Sequence, residues 1–309
     1  MRTGDSAKRL LRAILSGLGL AALSLFLLYT VLWRAKPLPE NVRALHERFL
    51  SSDFSVCILD IGQADCSLIR QGEHVMLIDC GDPDDADRIL ETLRALKIKR
   101  IDALILTHPH SDHIGSAQAI AEAIPVSAVY MPDAPSDSKI LENLLACIEE
   151  RKIPNNTAYA GLSIPFGDCT VRVLSPQKGL DSPSLNAYSL VLSIEYDGIR
   201  LLFTGDAEKE NEAYILESGA SVSCDLIKVG HHGSESSSDP AFVKACAPRY
   251  AVVTTEYFSS NDLPKESVLA RWKDSGACVL CTHLCGAVFA FAEDGGLSVS
   301  WTEETYPRD

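Results

Sequence analysis

The sequence is short of positive charge. It has 28 lysine and arginine residues against 42 aspartate and glutamate residues, which gives a formal net charge of −14 over 309 residues. Residues 1–36 contain six basic residues and one acidic residue, a charge of +5, so the remaining chain carries −19. Non-specific nucleic-acid binding relies on stripes of lysine and arginine. The composition therefore excludes a protein that holds nucleic acid through surface charge alone.

Low-complexity segments and short-period repeats are also absent, which excludes a repeat array. Histidine is scarce, with eight residues in the chain, yet three of them lie within the six positions from His108 to His113. This cluster directly follows the apolar run 101–106, which predicts a buried strand. Imidazole and carboxylate side chains suit zinc, manganese or iron. The density of the cluster favours a metal site over a polar loop of solvated histidines.

Two later apolar strands end in similar side chains. The run 201–203 leads through Thr204 and Gly205 to Asp206, and the run 225–229 leads to His231 and His232. Asp206 alone is as readily a turn or capping residue as a ligand. Because ligand-type residues recur at three strand ends, we expect them to form one metal centre in which Asp206 bridges two cations.

These residues resemble the metallo-β-lactamase superfamily, most closely the hydrolase domain of ComEC-type DNA-uptake competence proteins and their stand-alone relatives. The resemblance extends beyond the histidine cluster, and it covers the chain from about Phe54 to the C-terminus. It implies an α/β fold, an αββα sandwich with metals at one sheet edge. Four further segments carry it: 56–65 is similar to an opening strand and G-Q-G-D turn, 76–81 to L-I-D-x-G, 186–192 to N-N-x-S-L-V-L, and 228–234 to K-V-x-H-H-G-S.

The resemblance implies two divalent metal ions, zinc with manganese as the alternative. Asp112 and Asp206 are then the catalytic residues. We expect His231, rather than His232, as the last ligand of the second ion. Asn186 stands where many relatives have another histidine, and it is a weaker ligand of the first ion. The implied ligands are His108 and His110 for the first ion, Asp112 and His113 for the second, and Asp206 between them.

Other polar residues have candidate roles beside the metals. Asp60 and Asp79 are expected to orient ligand imidazoles, or else to serve as strand-end turn residues. Ser234 and Ser237 are candidates for binding a substrate phosphate near a helix start. Ordinary helix capping by Asp239 or its neighbour is the alternative for that segment.

The expected chemistry is hydrolysis. Two cations that share a water lower its pKa toward neutrality, so hydroxide becomes available. The leading reaction is phosphodiester cleavage, with DNA or a small phosphodiester as substrate. The alternatives are an ester, thioester or lactam hydrolase, and an anchored binding protein without activity. Leu263 and Glu235 stand where similar chains often carry histidine and a basic residue, and both changes remove potential phosphate partners.

The N-terminal part is expected to anchor the protein in the cell membrane. Residues 13–33 form an apolar run of about the length a bilayer requires. Basic residues precede it, which predicts a cytoplasmic tail over 1–12 and a single-pass protein with its catalytic domain outside the cell. A linker over 34–52, with a short helix at 40–50, then leads to a hydrolase domain over 53–309. A cleaved signal peptide is the alternative, although no clear small-x-small cleavage site follows the run.

The expected hydrolase domain alternates strands and helices, as an α/β protein should. Helices are predicted over 84–96, 116–124, 138–153, 208–218, 240–246 and 265–275, and strands over 169–174 and 250–254.

The chain contains ten cysteines. Cys278, Cys281 and Cys285 with His283 resemble a zinc knuckle only superficially, and we expect buried or paired thiols instead.

Overall fold

The computed structural model describes residues 38–256 and 262–303. The expected cytoplasmic tail and membrane span, residues 1–12 and 13–33, lie outside this part of the chain. The chain divides into two compact units, residues 1–43 and 44–309. Within the described ranges, none of the helices combines the length and the apolar character needed to cross a bilayer.

Fifteen strands and nine α-helices are found in the described residues, together with short 3-10 turns at Pro83–Asp85, Asn186–Tyr188 and Gly230–Gly233. In chain order the elements are α1 (Glu40–Ser51), β1 (Phe54–Ile58), β2 (Ser67–Gln71), β3 (His74–Ile78), α2 (Ala86–Ala95), β4 (Ala103–Ile105), α3 (Ser111–Ile114), α4 (Ala117–Ala123), β5 (Val129–Met131), α5 (Lys139–Glu150), β6 (Asn155–Thr157), β7 (Ser163–Phe166), β8 (Cys169–Ser175), β9 (Val191–Tyr196), β10 (Ile199–Phe203), α6 (Lys209–Glu217), β11 (Leu226–Lys228), α7 (Pro240–Cys246), β12 (Tyr250–Val253), α8 (Glu266–Asp274), β13 (Cys278–Cys281), α9 (Thr282–Cys285), β14 (Val288–Glu293) and β15 (Gly296–Trp301).

The strands form two mixed sheets. The first has eight strands in the order β15-β14-β1-β2-β3-β4-β5-β6, and the second has seven in the order β13-β12-β11-β10-β9-β8-β7. Strands β3 to β6 are parallel neighbours, and so are β10 to β13. Parallel neighbours need a crossover connection, usually a helix. Helices α2 to α8 lie in these crossovers, which places helices on the outer faces.

Three apolar layers hold this arrangement together. Along β1, Val56 and Ile58 pack in the layer between the two sheets, whereas Cys57 packs in the layer that joins the first sheet to its helices. This alternation follows the two-residue period of a strand. A third layer joins the second sheet to α6, α7 and α8, with Trp272 fully buried in it. The predicted αββα sandwich is therefore confirmed.

The predicted helices are present, with ends that shift by a few residues. The N-terminal boundary differs from the prediction, because Leu45 and Phe49 of α1 pack in the core of the αββα domain. Residues 44–52 thus belong to the domain rather than to a linker. The segment 186–192, which resembles a strand motif of the family, is only partly a strand: Asn186–Tyr188 is a 3-10 turn, and the strand begins at Val191.

All ten cysteines are free thiols, and eight of them are buried. The prediction of buried thiols is confirmed, and none of the ten is paired. Cys281 and Cys285 are buried and Cys278 is partly exposed. No metal-ligand group forms around them among the described residues, so the superficial likeness to a zinc knuckle has no counterpart in the fold.

Candidate metal centre

The ligand-type residues lie just beyond the ends of four strands. Asp79 follows β3, the histidine cluster follows β4, Asp206 follows β10, and the histidine pair follows β11. Gly205 lets two of these strand ends approach each other. Its φ is +51°, and a Cβ at this position would lie 2.9 Å from the side chain of Thr107. Any larger residue would push Asp206 away from the histidine cluster.

One group contains Asp112, His113, Asp206 and His232, whose ligand atoms all lie within 4.8 Å of one another. Nε2 of His113 lies 3.3 Å from Oδ1 of Asp206 and 3.8 Å from Oδ2 of Asp112. Nε2 of His232 lies 3.6 Å and 3.4 Å from the same two oxygens. Ligand atoms around a tetrahedral zinc ion lie roughly 3.3 Å apart. The four side chains therefore surround a position that suits one cation.

A second group contains His108, His110 and Asp206. Nε2 of His108 lies 2.9 Å from Nδ1 of His110 and 3.9 Å from Oδ2 of Asp206. Asp206 thus presents Oδ1 to the four-residue group and Oδ2 to this one. A carboxylate with this orientation can bridge two cations.

Three buried atoms of the four-residue group have no hydrogen-bond partner among the described residues. They are Nε2 of His113, Nε2 of His232 and Oδ1 of Asp206. A buried polar atom without a partner costs roughly 1–3 kcal/mol. One divalent cation would satisfy all three atoms together. The residues present therefore fit a metal ion.

Asp79 orients two of the histidines, as its strand-end position predicted. Its Oδ2 lies 2.8 Å from Nδ1 of His113 and accepts a 2.7 Å hydrogen bond from the hydroxyl of Thr107. The same hydroxyl oxygen lies 3.2 Å from Nδ1 of His108. With the Nδ1 atoms acting as donors, the Nε2 lone pairs of His108 and His113 are left for a cation.

His232 is oriented through a different set of contacts. Its Nδ1 donates to the carbonyl oxygen of Thr254 at 3.0 Å, and the Thr254 hydroxyl donates to Oδ1 of Asp65 at 2.6 Å. The other oxygen of Asp65 contacts Nζ of the buried Lys228. Sequence reasoning gave Asp65, Lys228 and Thr254 no role. The first two lie inside the motifs that carry the family resemblance, whereas Thr254 shows no signal beyond its place at a strand end.

Burial and charge perturb the ionisable groups of the centre. Burial alone would lower the pKa of His113, but the carboxylates of Asp206 and Asp79 outweigh it and hold this pKa well above its usual value. Burial would likewise raise the pKa of Asp206, but His113 and His232 outweigh it and lower that pKa. Burial dominates at His108 and lowers its pKa. Protons therefore compete with cations at His113, which makes cation binding pH-dependent.

The two adjacent histidines take the reverse of their expected places. His232, rather than His231, joins the four-residue group. His231 is 25% exposed, with its Nε2 3.4 Å from Nδ2 of Asn186 and 3.8 Å from Oδ2 of Asp206. Both histidines have φ near +50°, and this left-handed turn directs their rings to different sides. Asn186 lies on the His231 side, and its role as a ligand stays a prediction.

The serines after the histidine pair act mainly within their own turn. Ser237 is fully buried, and its hydroxyl donates to the carbonyl of Gly230 at 2.8 Å, which corrects its expected role in phosphate binding. The hydroxyl of Ser234 lies 3.2 Å from that of Ser236, and its role in substrate binding stays a prediction. Asp239 caps α7 by accepting a hydrogen bond from the backbone N–H of Ala241, so the capping interpretation is confirmed.

Asp60 does not orient a ligand. Its carboxylate accepts a hydrogen bond from the backbone N–H of Gly62, and its Oδ2 lies 3.6 Å from Nη2 of Arg88. The contact with Gly62, two residues along the chain, agrees with the strand-end turn role, the alternative expected for Asp60.

A cavity of about 550 Å³ opens beside Asp112. Asp82, Asp84, Asp85 and Glu256 line it, and none of its lining residues within the described part of the chain is a lysine or arginine. A substrate that enters from this side meets carboxylates before it reaches the ligand groups.

Comparison with known proteins agrees with this geometry. Residues 59–138 match the model of the Metallo-beta-lactamase superfamily. The chain contains a metallo-β-lactamase domain. It is 31% identical over 275 residues to Competence protein ComA of Neisseria gonorrhoeae, which covers 88% of this chain and 36% of that protein. It is 30% identical over 263 residues to ComE operon protein 3 of Bacillus subtilis, which covers 77% of this chain and 33% of that protein. The resemblance to competence proteins is therefore confirmed, and the chain spans about a third of the length of these relatives.

A solved structure supports the fold of the metallo-β-lactamase domain. The metallo-beta-lactamase fold protein YhfI from Bacillus subtilis superposes with a TM-score of 0.52 at 14% identity, over 80% of this chain and 100% of that chain. This likeness shows the fold alone. Histidine and aspartate groups that can hold metal ions lie in the domain, whereas the number and identity of the ions stay predictions.

Proposed function

We propose that this chain is a membrane-anchored, metal-dependent hydrolase that cleaves phosphodiesters, with DNA as the leading substrate. The observation that carries the proposal is the convergence of three buried ligand atoms that have no hydrogen-bond partner in the described part of the chain. One of these atoms belongs to Asp206, whose carboxylate faces both ligand groups. Such a cluster is costly to fold unless a cation satisfies it.

Each side chain has a part in this chemistry. Bound divalent cations supply Lewis acidity and lower the pKa of water toward neutrality. Asp206 would hold both cations, because its two oxygens face different ligand groups. Asp79 and Thr254 hold the imidazoles of His113 and His232 with Nε2 directed inward. Asp112 lies at the mouth of the centre, where its 25% exposed side chain meets the cavity.

The choice of phosphodiesters rests on the relatives, and charge sets a condition on it. One relative is named a competence protein, which favours DNA as substrate. The cavity beside Asp112 is acidic, and the chain from residue 37 onward carries −19. A phosphate group approaching this cavity is repelled unless cations occupy the centre. We therefore expect DNA binding to require divalent metal.

The test compares full-length protein, purified in detergent, with the variant Asp206→Asn. Both are prepared without metal and then loaded with zinc or manganese. Substrates are single- and double-stranded DNA, a small phosphodiester, a thioester and a lactam. The wild type should cleave DNA and the phosphodiester only after metal loading. The variant should lose more than the roughly 10- to 100-fold that a lost outer contact to a ligand costs, because it removes the bridge itself.

Other outcomes reject particular parts of the proposal. Turnover of the thioester or lactam without cleavage of DNA would replace the phosphodiesterase with a small-molecule hydrolase. Metal uptake without any turnover would favour the anchored binding protein. Protein that takes up neither zinc nor manganese would reject the metal centre as a whole.

A further inference from the structure

A lysine is buried within the candidate metal centre. Lys228, the last residue of β11, is 2% exposed. Its Nζ contacts Oδ2 of Asp65, donates to the carbonyl oxygen of Gly205 at 3.0 Å, and lies 3.9 Å from Oδ1 of Asp206. Burying an ammonium group is costly unless it is paired and hydrogen-bonded. Lys228 meets both conditions, and every partner named belongs to the metal centre.

The contacts of Lys228 favour one of the two ligand groups. Oδ1 of Asp206, the oxygen nearer Nζ, faces His113 and His232, whereas Oδ2 faces His108. Asp65, the ion partner, also lies on this side, 3.9 Å from Nδ1 of His113. It lies 3.8 Å from Nδ1 of His232 as well. In the other group, Nδ1 of His108 is oriented by the hydroxyl of Thr107, which lies 3.2 Å away.

The same pair joins the two sheets at the metal edge. The backbone N–H of Asp65 donates to the carbonyl of Asp112 at 3.0 Å, so Asp65 is tied to a ligand of the first sheet. Asp65 contacts Lys228, which donates to the carbonyl of Gly205. Asp65 also accepts from Thr254, whose carbonyl accepts from His232. These residues follow or end strands of the second sheet. The ligands of the four-residue group come from both sheets, so these ties fix their separation.

We propose that Lys228 is a positioning residue, which together with Asp65 holds Asp206 and His232 in place and acts mainly on the cation of the four-residue group. The proposal rests on the metal centre of the proposed function. Asp65, Asp79 and His113 form a third group whose ligand atoms lie close together. The ammonium of Lys228 supplies the positive charge on the Asp65 side of that group.

The test is zinc titration of metal-free full-length protein, with stepwise affinities measured by competition with a chelator. Removing Lys228 alone would also change the charge felt by the cations. The variant is therefore the neutral pair Asp65→Asn with Lys228→Met, which keeps the net charge of the centre. Replacing a buried ion pair by uncharged residues of similar volume is often tolerated by the fold. The matched control neutralises the exposed pair Lys139 and Glu142, whose charged atoms lie 2.9 Å apart, as Lys139→Met with Glu142→Gln.

We expect one of the two zinc affinities of the variant to fall roughly 10- to 100-fold, with the other changed less and both affinities of the control unchanged. Equal weakening of both steps, or two wild-type affinities, would overturn the proposal. If the double variant does not fold, Thr254→Val removes the hydroxyl that donates to Asp65 and lies 3.1 Å from Nδ1 of His232. It should show the same selective loss to a smaller degree, and two wild-type affinities would also overturn the proposal. Wild-type protein that binds two zinc ions but hydrolyses nothing would reject the proposed function and leave this inference standing. Wild-type protein that binds no zinc would reject both.

Discussion

His231 and His232 are adjacent in the chain but face different parts of the metal centre. His232 lies with Asp112, His113 and Asp206, and its Nε2 has no other partner among the described residues. We predict that His232→Ala retains one zinc ion per chain and that His231→Ala retains two. Elemental analysis after exhaustive dialysis of both variants against zinc-free buffer measures this difference. If His231→Ala retained one zinc ion and His232→Ala retained two, His231 would be the ligand, as expected from the sequence.

Single residues differ in how far the sequence reveals their roles. The spacing of His108, His110, Asp112 and His113 predicts a metal centre because a strand end places them around one point. The choice between His231 and His232 depends on two left-handed backbone conformations, which are uncommon for residues other than glycine and are not indicated by the local sequence. Lys228 meets Asp65 only because the two sheets pack face to face, a contact between residues 163 positions apart that no local pattern indicates.

At the scale of the element, the loop before α7 depends on α6. Oε1 and Oε2 of Glu212 accept hydrogen bonds from the backbone N–H groups of Ser238 and Asp239, at 2.6 Å and 2.7 Å. Burial raises the pKa of Glu212 to about 7, although these two donors act to lower it. The contact holds the end of the loop that begins with His231 and His232.

We predict that Glu212→Ala destabilises the protein by about 1–3 kcal/mol, because it leaves buried N–H groups without an acceptor. Glu212→Gln, which keeps one side-chain carbonyl, should lose less. Urea denaturation at pH 8, where the glutamate is ionised, measures the change in the free energy of unfolding. Glu210→Ala, at an exposed position of the same helix, is the control and should change stability little. Equal losses at positions 210 and 212 would contradict the assigned contact.

The elements themselves were largely predictable, and the exceptions have physical reasons. Helices such as α7 have clear signals, with Asp239 as the capping residue and Pro240 in the first turn. The segment 186–192 contains a run of strand-type residues, but Asn186–Tyr188 turns near the metal centre before pairing begins. The packing of helix α1 on the domain was not predicted. Only two of its residues, Leu45 and Phe49, are buried, and two such residues are too few to indicate packing from the sequence alone.

Over the whole molecule, the layer order followed from the alternation of strands and helices together with the family resemblance. Sheet order and register did not follow from the sequence, since β14 and β15 return to pair beside β1 from more than 200 residues away. The net charge could be predicted from the sequence, but the place where acidic side chains gather could not. The acidic cavity beside Asp112 gathers carboxylates from separate segments, as far apart as Asp82 and Glu256.

The charge asymmetry along the chain predicts its orientation at the membrane. Arg2, Lys8, Arg9 and Arg12 precede the apolar run 13–33, and basic residues flanking a span tend to remain in the cytoplasm. Protease added to intact protoplasts should therefore digest the catalytic domain. A variant in which Lys8, Arg9 and Arg12 are replaced by glutamine should be digested less completely, because the signal for orientation is weakened. Complete protection of the wild type until lysis would reverse the orientation. Release of a soluble catalytic domain cut after the apolar run would instead establish the signal peptide, since a segment that remains a span keeps the domain with the membrane fraction.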